Sequence, residues 1–201
     1  MYRKHCLGSI ALAMRADMTI FRRGVMFAVC SIRQATINVP DQLGALFEPT
    51  EDNHENPLFG HKFGAWEYIN DDAKCAAIWR ELTLLRNNVH GCQKAIMELL
   101  RIPGLGIVKA AFVAQLMGFN VACLDARNIK REGRNPRAYR TDGKSPEALA
   151  PKVRAYVLET FGRAEEYWDA WCKDVAQAYH LEPEAVSALH LSIIPSNYVP
   201  F

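Results

Sequence analysis

Apolar residues along this chain recur mostly at three- and four-residue intervals and alternate in few places. That period gathers them on one face of a helix. Alternating runs of β-branched residues are short and rare, so the strand signal is poor. The pattern predicts one or two helices over residues 8–33, interrupted near Arg22-Arg23-Gly24, and a short helix over 41–47. Pro, Gly, Asn and charge crowd residues 48–63, which reads as a loop. Asn70-Asp71-Asp72 offers an N-cap to a helix reaching about Arg86, with Ala76, Ile78, Leu82 and Leu85 apolar.

A helix over 90–100 then ends in apolar Ile96, Leu99 and Leu100, where Pro103-Gly104 stops it. A second runs over 107–117 and ends at Gly118. Ser145 followed by Pro146 is a good start signal for a helix over 145–161. Further helices are predicted over 164–179 and 183–191, before a tail containing proline. The expectation is an all-α fold, one helical domain over residues 1–201, with a helical hairpin at about 88–118.

Composition narrows the class. Half the residues are apolar and 23% are charged, which is ordinary for a globular chain. No apolar run reaches the ~18 residues that span a bilayer. The run from Leu7 to Met14 is cut short by Arg15 and Asp17, so it reads as the first helix of a soluble protein rather than a signal peptide. None of the six cysteines forms a C-x-x-C pair, which argues against zinc or iron–sulfur binding and for buried thiols in a reducing compartment. No metal and no cofactor are expected.

Net charge is only +2, but its distribution is uneven. Arg127, Lys130, Arg131, Arg134, Arg137, Arg140 and Lys144 face only Glu132 and Asp142 within one segment, which leaves the rest of the chain net acidic. Such a patch suits a polyanion, and equally a solvated loop.

The hairpin gives that patch a context. Gly104 and Gly106 can take backbone angles closed to other residues and let a phosphate approach the chain. The amides of Gly106, Ile107 and Val108 open the next helix, where free N–H groups favour an anion. Leu105 should point inward to pin the turn, and small Ala110 should let the helices cross closely. Lys109 adds a positive charge nearby.

Three segments together resemble the helix-hairpin-helix DNA glycosylase superfamily, including its endonuclease III and MutY-like branches and divergent phage-type members. Ser31-Ile32-Arg33-Gln34-Ala35-Thr36 looks like the family's S-x-Q-x-T region. Ile102-Pro103-Gly104-Leu105-Gly106-Ile107-Val108-Lys109-Ala110 is similar to its hairpin. Val121-Ala122-Cys123-Leu124-Asp125 looks like the apolar stretch ending in its catalytic aspartate. The resemblance implies a two-lobed helical bundle with a cleft, acting as a monomer on double-stranded DNA in the cytoplasm of a bacterial cell or phage-infected host. It implies cleavage of the N-glycosidic bond of a damaged or modified base after flipping. Asp125 would stabilise charge on the sugar, Gln34 would approach the gap left by the base, and Arg127, Lys130 and Arg131 would lie along the backbone.

The sequence departs from the family pattern in four places. The span from hairpin to aspartate is about one residue shorter than the family's. The lysine nucleophile of bifunctional members falls at Val108, with Lys109 about 100° further round the helix, so no lysine-driven lyase activity is expected. The cysteine cluster of the iron–sulfur branch is absent, and Ala126-Arg127-Asn128 replaces the usual residues after the aspartate. A base-modifying enzyme on the same scaffold and a non-catalytic DNA-binding protein therefore stay open. So do plainer roles: Asp125 as a helix cap, Gln34 as a polar helix end, and Tyr139 as an exposed loop residue rather than a base stacker. Trp66, Tyr68, Trp79, Trp168 and Trp171 read as packing, and His61, His90 and His190 as satisfied structural histidines.

Overall fold

A computed structural model describes residues 3–32, 34–50, 58, 60–141 and 143–199. Among them every regular element is helical. They run α1 (Arg3–Ala16), α2 (Met18–Cys30), α3 (Val39–Phe47), α4 (His61–Asn70), α5 (Asp72–Leu84), α6 (Val89–Leu99), α7 (Ile107–Leu116), α8 (Ala126–Arg131), α9 (Pro146–Thr160), α10 (Ala164–Tyr179) and α11 (Pro183–Leu191). Two 3-10 turns, Thr36–Asn38 and Pro136–Tyr139, lie between them.

Local chemistry sets most of the starts. Asp71 accepts the Lys74 N–H at 3.1 Å, Asn88 the Gly91 N–H at 2.8 Å and Ser145 the Ala148 N–H at 3.4 Å. Each satisfies one of the free amides of a helix's first turn. Two expected boundaries move. The break in the first long helical stretch falls at Asp17, which caps α2 by accepting the Thr19 N–H at 2.6 Å, and not at Arg22-Arg23-Gly24. Those three residues are inside α2 because each has a partner far along the chain or on the neighbouring helix. Arg22 donates to Asp72 at 2.5 Å. A Cβ on Gly24 would stand 2.4 Å from Cε of Met14, so the glycine lets α1 and α2 approach. Buried Arg23 donates to the carbonyls of Ile193 and Ser192 at 3.0 and 2.9 Å and pairs with Glu48. Likewise α4 begins at His61, inside the expected loop; residues 51–57 and 59 of that loop lie outside the described residues, as do Arg33 and Asp142.

Two helices have almost no polar face. In α2 every residue from Ile20 to Cys30 except Arg22 is buried, and in α7 eight of ten are. A helix apolar all round must be central, and these two pack on each other, with the rings of Phe27 and Phe112 6.1 Å apart. Around them the other helices fall into two groups. α3, α4 and α5 pack on α2, and α6 joins α7 and α9; α10 packs with α8 and α11, and α1 bridges the groups. The buried apolar residues run continuously from Cys6 to Ile193, and all six cysteines are buried and free. No helix among the described residues is long and apolar enough to cross a membrane.

Candidate functional site

A cleft of about 850 Å³ opens where the two groups meet. It collects four stretches of chain: residues 31–36 after α2, the glycines of the α6–α7 turn with one face of α7, residues 123–128, and the aromatic face of α10.

The turn follows from its sequence. Gly104 sits at φ +82°, where a side chain is strained, and a Cβ there would meet the His61 carbonyl oxygen at 3.0 Å. Gly106 differs from the expectation: its φ is −90°, open to any residue. It precedes α7 without a side-chain cap, so the first amides of that helix have no side-chain acceptor from it. Leu105 and Ala110 are buried, as the pattern required.

Past α7 the chain has no regular structure from Val121 to Asp125, and its backbone groups are paired by buried side chains of three helices. Gln115 accepts the Cys123 N–H at 3.2 Å and donates to the Ala164 carbonyl at 2.7 Å. The Tyr156 hydroxyl accepts the Leu124 N–H at 2.9 Å and donates to the Ala122 carbonyl at 2.8 Å. Asn128 donates to the Cys123 carbonyl at 2.7 Å. All three are about 1% exposed. The segment therefore delivers Asp125 to the cleft in a fixed place. One carboxylate oxygen of Asp125 accepts the Asn128 N–H at 2.9 Å and caps α8. The cap is real, and the residue also lines the cleft.

Lys109 is partly buried in the cleft wall, where loss of water lowers its pKa; the nearby Asp125 carboxylate works the other way. Its ammonium donates to the Ser31 hydroxyl at 2.7 Å and sits 5.3 Å from the centre of the Phe112 ring. Val108 and Lys109 both line the cleft, so the angular offset between them does not take the lysine out of it. Burial pushes the Cys123 thiol up to about 12, which keeps it neutral. Gln34 also lines the cleft, its carbonyl accepting from Lys62 at 3.1 Å. Ile107 is buried beneath the turn.

The basic segment is less uniform than its composition. Arg127 and Arg140 line the cleft, and Lys130 is exposed. Arg131 lies 3.5 Å from Asp174 and stacks on Tyr167. Arg134 pairs with Glu132 and Glu159. Tyr139 is half-buried, edge-on to Tyr156 at 5.4 Å and bonded to Glu159 at 3.2 Å, rather than an exposed loop residue.

The aromatic wall is the part the sequence reading assigned only to packing. Trp168 and Trp171 line the cleft with Phe112 and Tyr179, and behind them lies His190, fully buried, its ring 4.6 and 4.7 Å from the two tryptophans. Neither nitrogen of His190, nor the indole nitrogen of Trp168, makes a hydrogen bond of good geometry among the described residues. His190 is thus structural, and burial lowers its pKa to about 3, with the Val186 backbone working weakly the other way. The i, i+3 spacing of Trp168 and Trp171 was the available signal for this wall; which side of α10 faces a cleft depends on α7 and α8. Compared with protein-family models, curated proteins and solved structures, the chain matches none.

Proposed function

We propose that the protein binds double-stranded DNA as a monomer and cleaves the N-glycosidic bond of a base turned out into this cleft, with Asp125 as the catalytic carboxylate. The observation that carries the reading is convergence. Three segments distant in sequence, around Gln34, Gly104–Gly106 and Asp125, line one cleft. Its aromatic wall of Phe112, Trp168 and Trp171 suits a planar ring.

As the C1′–N bond breaks, its electron pair leaves with the base, which takes up a proton, and positive charge develops at C1′. A carboxylate held in place stabilises that charge without reorganising. Water then bonds to C1′ and gives up a proton. The hairpin amides and exposed Lys130 are assigned to the phosphate backbone.

The test is mass spectrometry of duplexes carrying normal, damaged and hypermodified bases, incubated with wild type or Asp125→Asn. Asparagine keeps an acceptor for the Asn128 N–H, so the cap survives. Free base should appear with wild type and fall at least ~100-fold with the variant. Base release undiminished in Asp125→Asn would remove Asp125 from the chemistry. No release from any duplex, with binding intact, would leave a DNA-binding protein.

A further inference from the structure

Lys109 is only partly buried, and it lines the cleft together with Ser31, Phe112 and Asp125. Two of those residues hold its ammonium. It donates to the Ser31 hydroxyl at 2.7 Å, and it sits 5.3 Å from the centre of the Phe112 ring. The Ser31 hydroxyl gives its own hydrogen to the Ala28 carbonyl at 2.7 Å, so toward Lys109 it can only accept. That bond occupies one N–H of the ammonium, and no carboxylate pairs with the others among the described residues. Loss of water makes this ammonium a stronger acid than an exposed lysine; the Asp125 carboxylate opposes that shift, and the Lys62 ammonium from α4 adds to it. Phe112 in turn stands 6.5 and 6.3 Å from Trp168 and Trp171, so Lys109 marks the edge of the aromatic wall.

Breaking a C1′–N bond leaves positive charge on the sugar and negative charge on the base. The cleft offers the Asp125 carboxylate for the first, and at the edge of the rings it offers a cation for the second. We propose that Lys109 is the acid of this reaction, its ammonium giving a proton to the departing base. The inference rests on the glycosylase reading above and adds a second catalytic residue to it. As the bond breaks, its electron pair goes to the base nitrogen. One Nζ–H proton passes to the base, which leaves neutral, and Lys109 is left as a neutral amine. Water bonds to C1′ and releases a proton, and the amine takes one up from solvent, which restores the ammonium. The nitrogen of Lys109 forms no bond to C1′, which separates this role from that of a lysine nucleophile. Ser31 is a positioning residue, because its hydroxyl fixes where the ammonium stands.

The experiment times base release in single-turnover reactions of wild type, Lys109→Met and Lys109→Arg. Two duplexes are compared: one carries the base that wild type releases from the panel used for Asp125, and its twin carries the same base with one ring fluorine. Fluorine draws electrons from the departing nitrogen, so the twin's base leaves more readily without a proton and is almost unchanged in size. A positioned acid typically contributes about 100- to 10,000-fold. Lys109→Met should therefore release the parent base at least ~100-fold more slowly than wild type, and the fluorinated base no more than ~10-fold more slowly. Lys109→Arg keeps the charge but does not give up its proton, and it should stay at least ~10-fold below wild type on the parent base. Equal losses on both bases would overturn the proton transfer and make Lys109 a packing residue. Full activity in Lys109→Arg would overturn it in favour of charge alone. Undiminished release in Lys109→Met would overturn the inference and leave the glycosylase reading standing. Capture of Lys109 on the DNA by borohydride would also overturn it, because the amine would then be a nucleophile. No release by wild type from any duplex would remove the glycosylase reading, and the inference with it.

Discussion

Asp125 and Trp168 face the same cleft from surroundings of opposite kind. On the Asp125 side, the backbone leading to the carboxylate has its groups paired by Gln115, Tyr156 and Asn128, side chains from α7, α9 and α8. On the Trp168 side, aromatic rings pack on one another around a histidine with no hydrogen bond of good geometry among the described residues, and Trp168 itself leaves an indole N–H unpaired there. Hydrogen bonds have narrow preferred geometry, so the first wall holds a carboxylate in one position. Ring packing tolerates small slides and tilts, so the second suits a flat group without dictating where its polar atoms lie. The difference separates placing a reacting group from receiving a ring.

Breaking the polar wall should have the largest effect. Gln115→Leu leaves the Cys123 N–H buried without its partner and removes the donor to the Ala164 carbonyl, which keeps its bond within α10. A buried unpaired group costs about 1–3 kcal/mol, so the variant should lose roughly 2 kcal/mol in urea unfolding. A loss below about 1 kcal/mol would mean that the segment before Asp125 does not depend on this network.

The aromatic wall should instead be sensitive to acid. His190 titrates near its ordinary value of 6.5 when unfolded and at about 3 when buried. Between those values the unfolded chain holds the extra proton, so stability is complete above about pH 6.5 and falls as pH drops toward 3. The slope from this one group approaches about 1.4 kcal/mol per pH unit. Urea unfolding at pH 7.5, 6 and 5 should show that loss in wild type and a flatter profile in His190→Phe. Identical pH slopes in the two proteins would refute the assignment to His190.

The two walls also differ in how far the sequence disclosed them. The polar wall was half legible. Asp125 could be read both as a cap and as a candidate carboxylate because both signals are local, but Gln115, Tyr156 and Asn128 could not, since their partners lie 8, 32–34 and 5 residues away and on different elements. Helix starts were legible for the same local reason, and α11 begins and ends where its proline and its apolar spacing place it. The break at Asp17 was not, because Arg22-Arg23-Gly24 has the look of an interruption until Met14, Ser192 and Ile193 are set beside it. The basic segment misled through composition: Arg134 is paired across the fold with Glu159, and Arg131 with Asp174, which sequence proximity cannot reveal. The aromatic wall was legible only as apolar spacing.

The smallest stability effects belong to the rim of the polar wall, where the hairpin's two glycines separate structure from binding. Gly104 sits at φ +82°, and a Cβ added there would lie 3.0 Å from the His61 carbonyl oxygen, so Gly104→Ala should cost about 1–2 kcal/mol from backbone strain. At Gly106 the backbone is already extended and the nearest atom to a Cβ, the Thr141 methyl, is 3.7 Å away. Gly106→Ala should therefore change stability by no more than about 0.5 kcal/mol. If the amides that follow it cradle a phosphate, the added methyl stands where the backbone of the duplex must approach, and affinity should fall although the fold does not. A thermal melt and a duplex titration of the same variant decide it. An unchanged melt with weaker binding assigns the glycine to the phosphate contact, whereas an unchanged melt with unchanged binding means that the duplex does not approach at this turn.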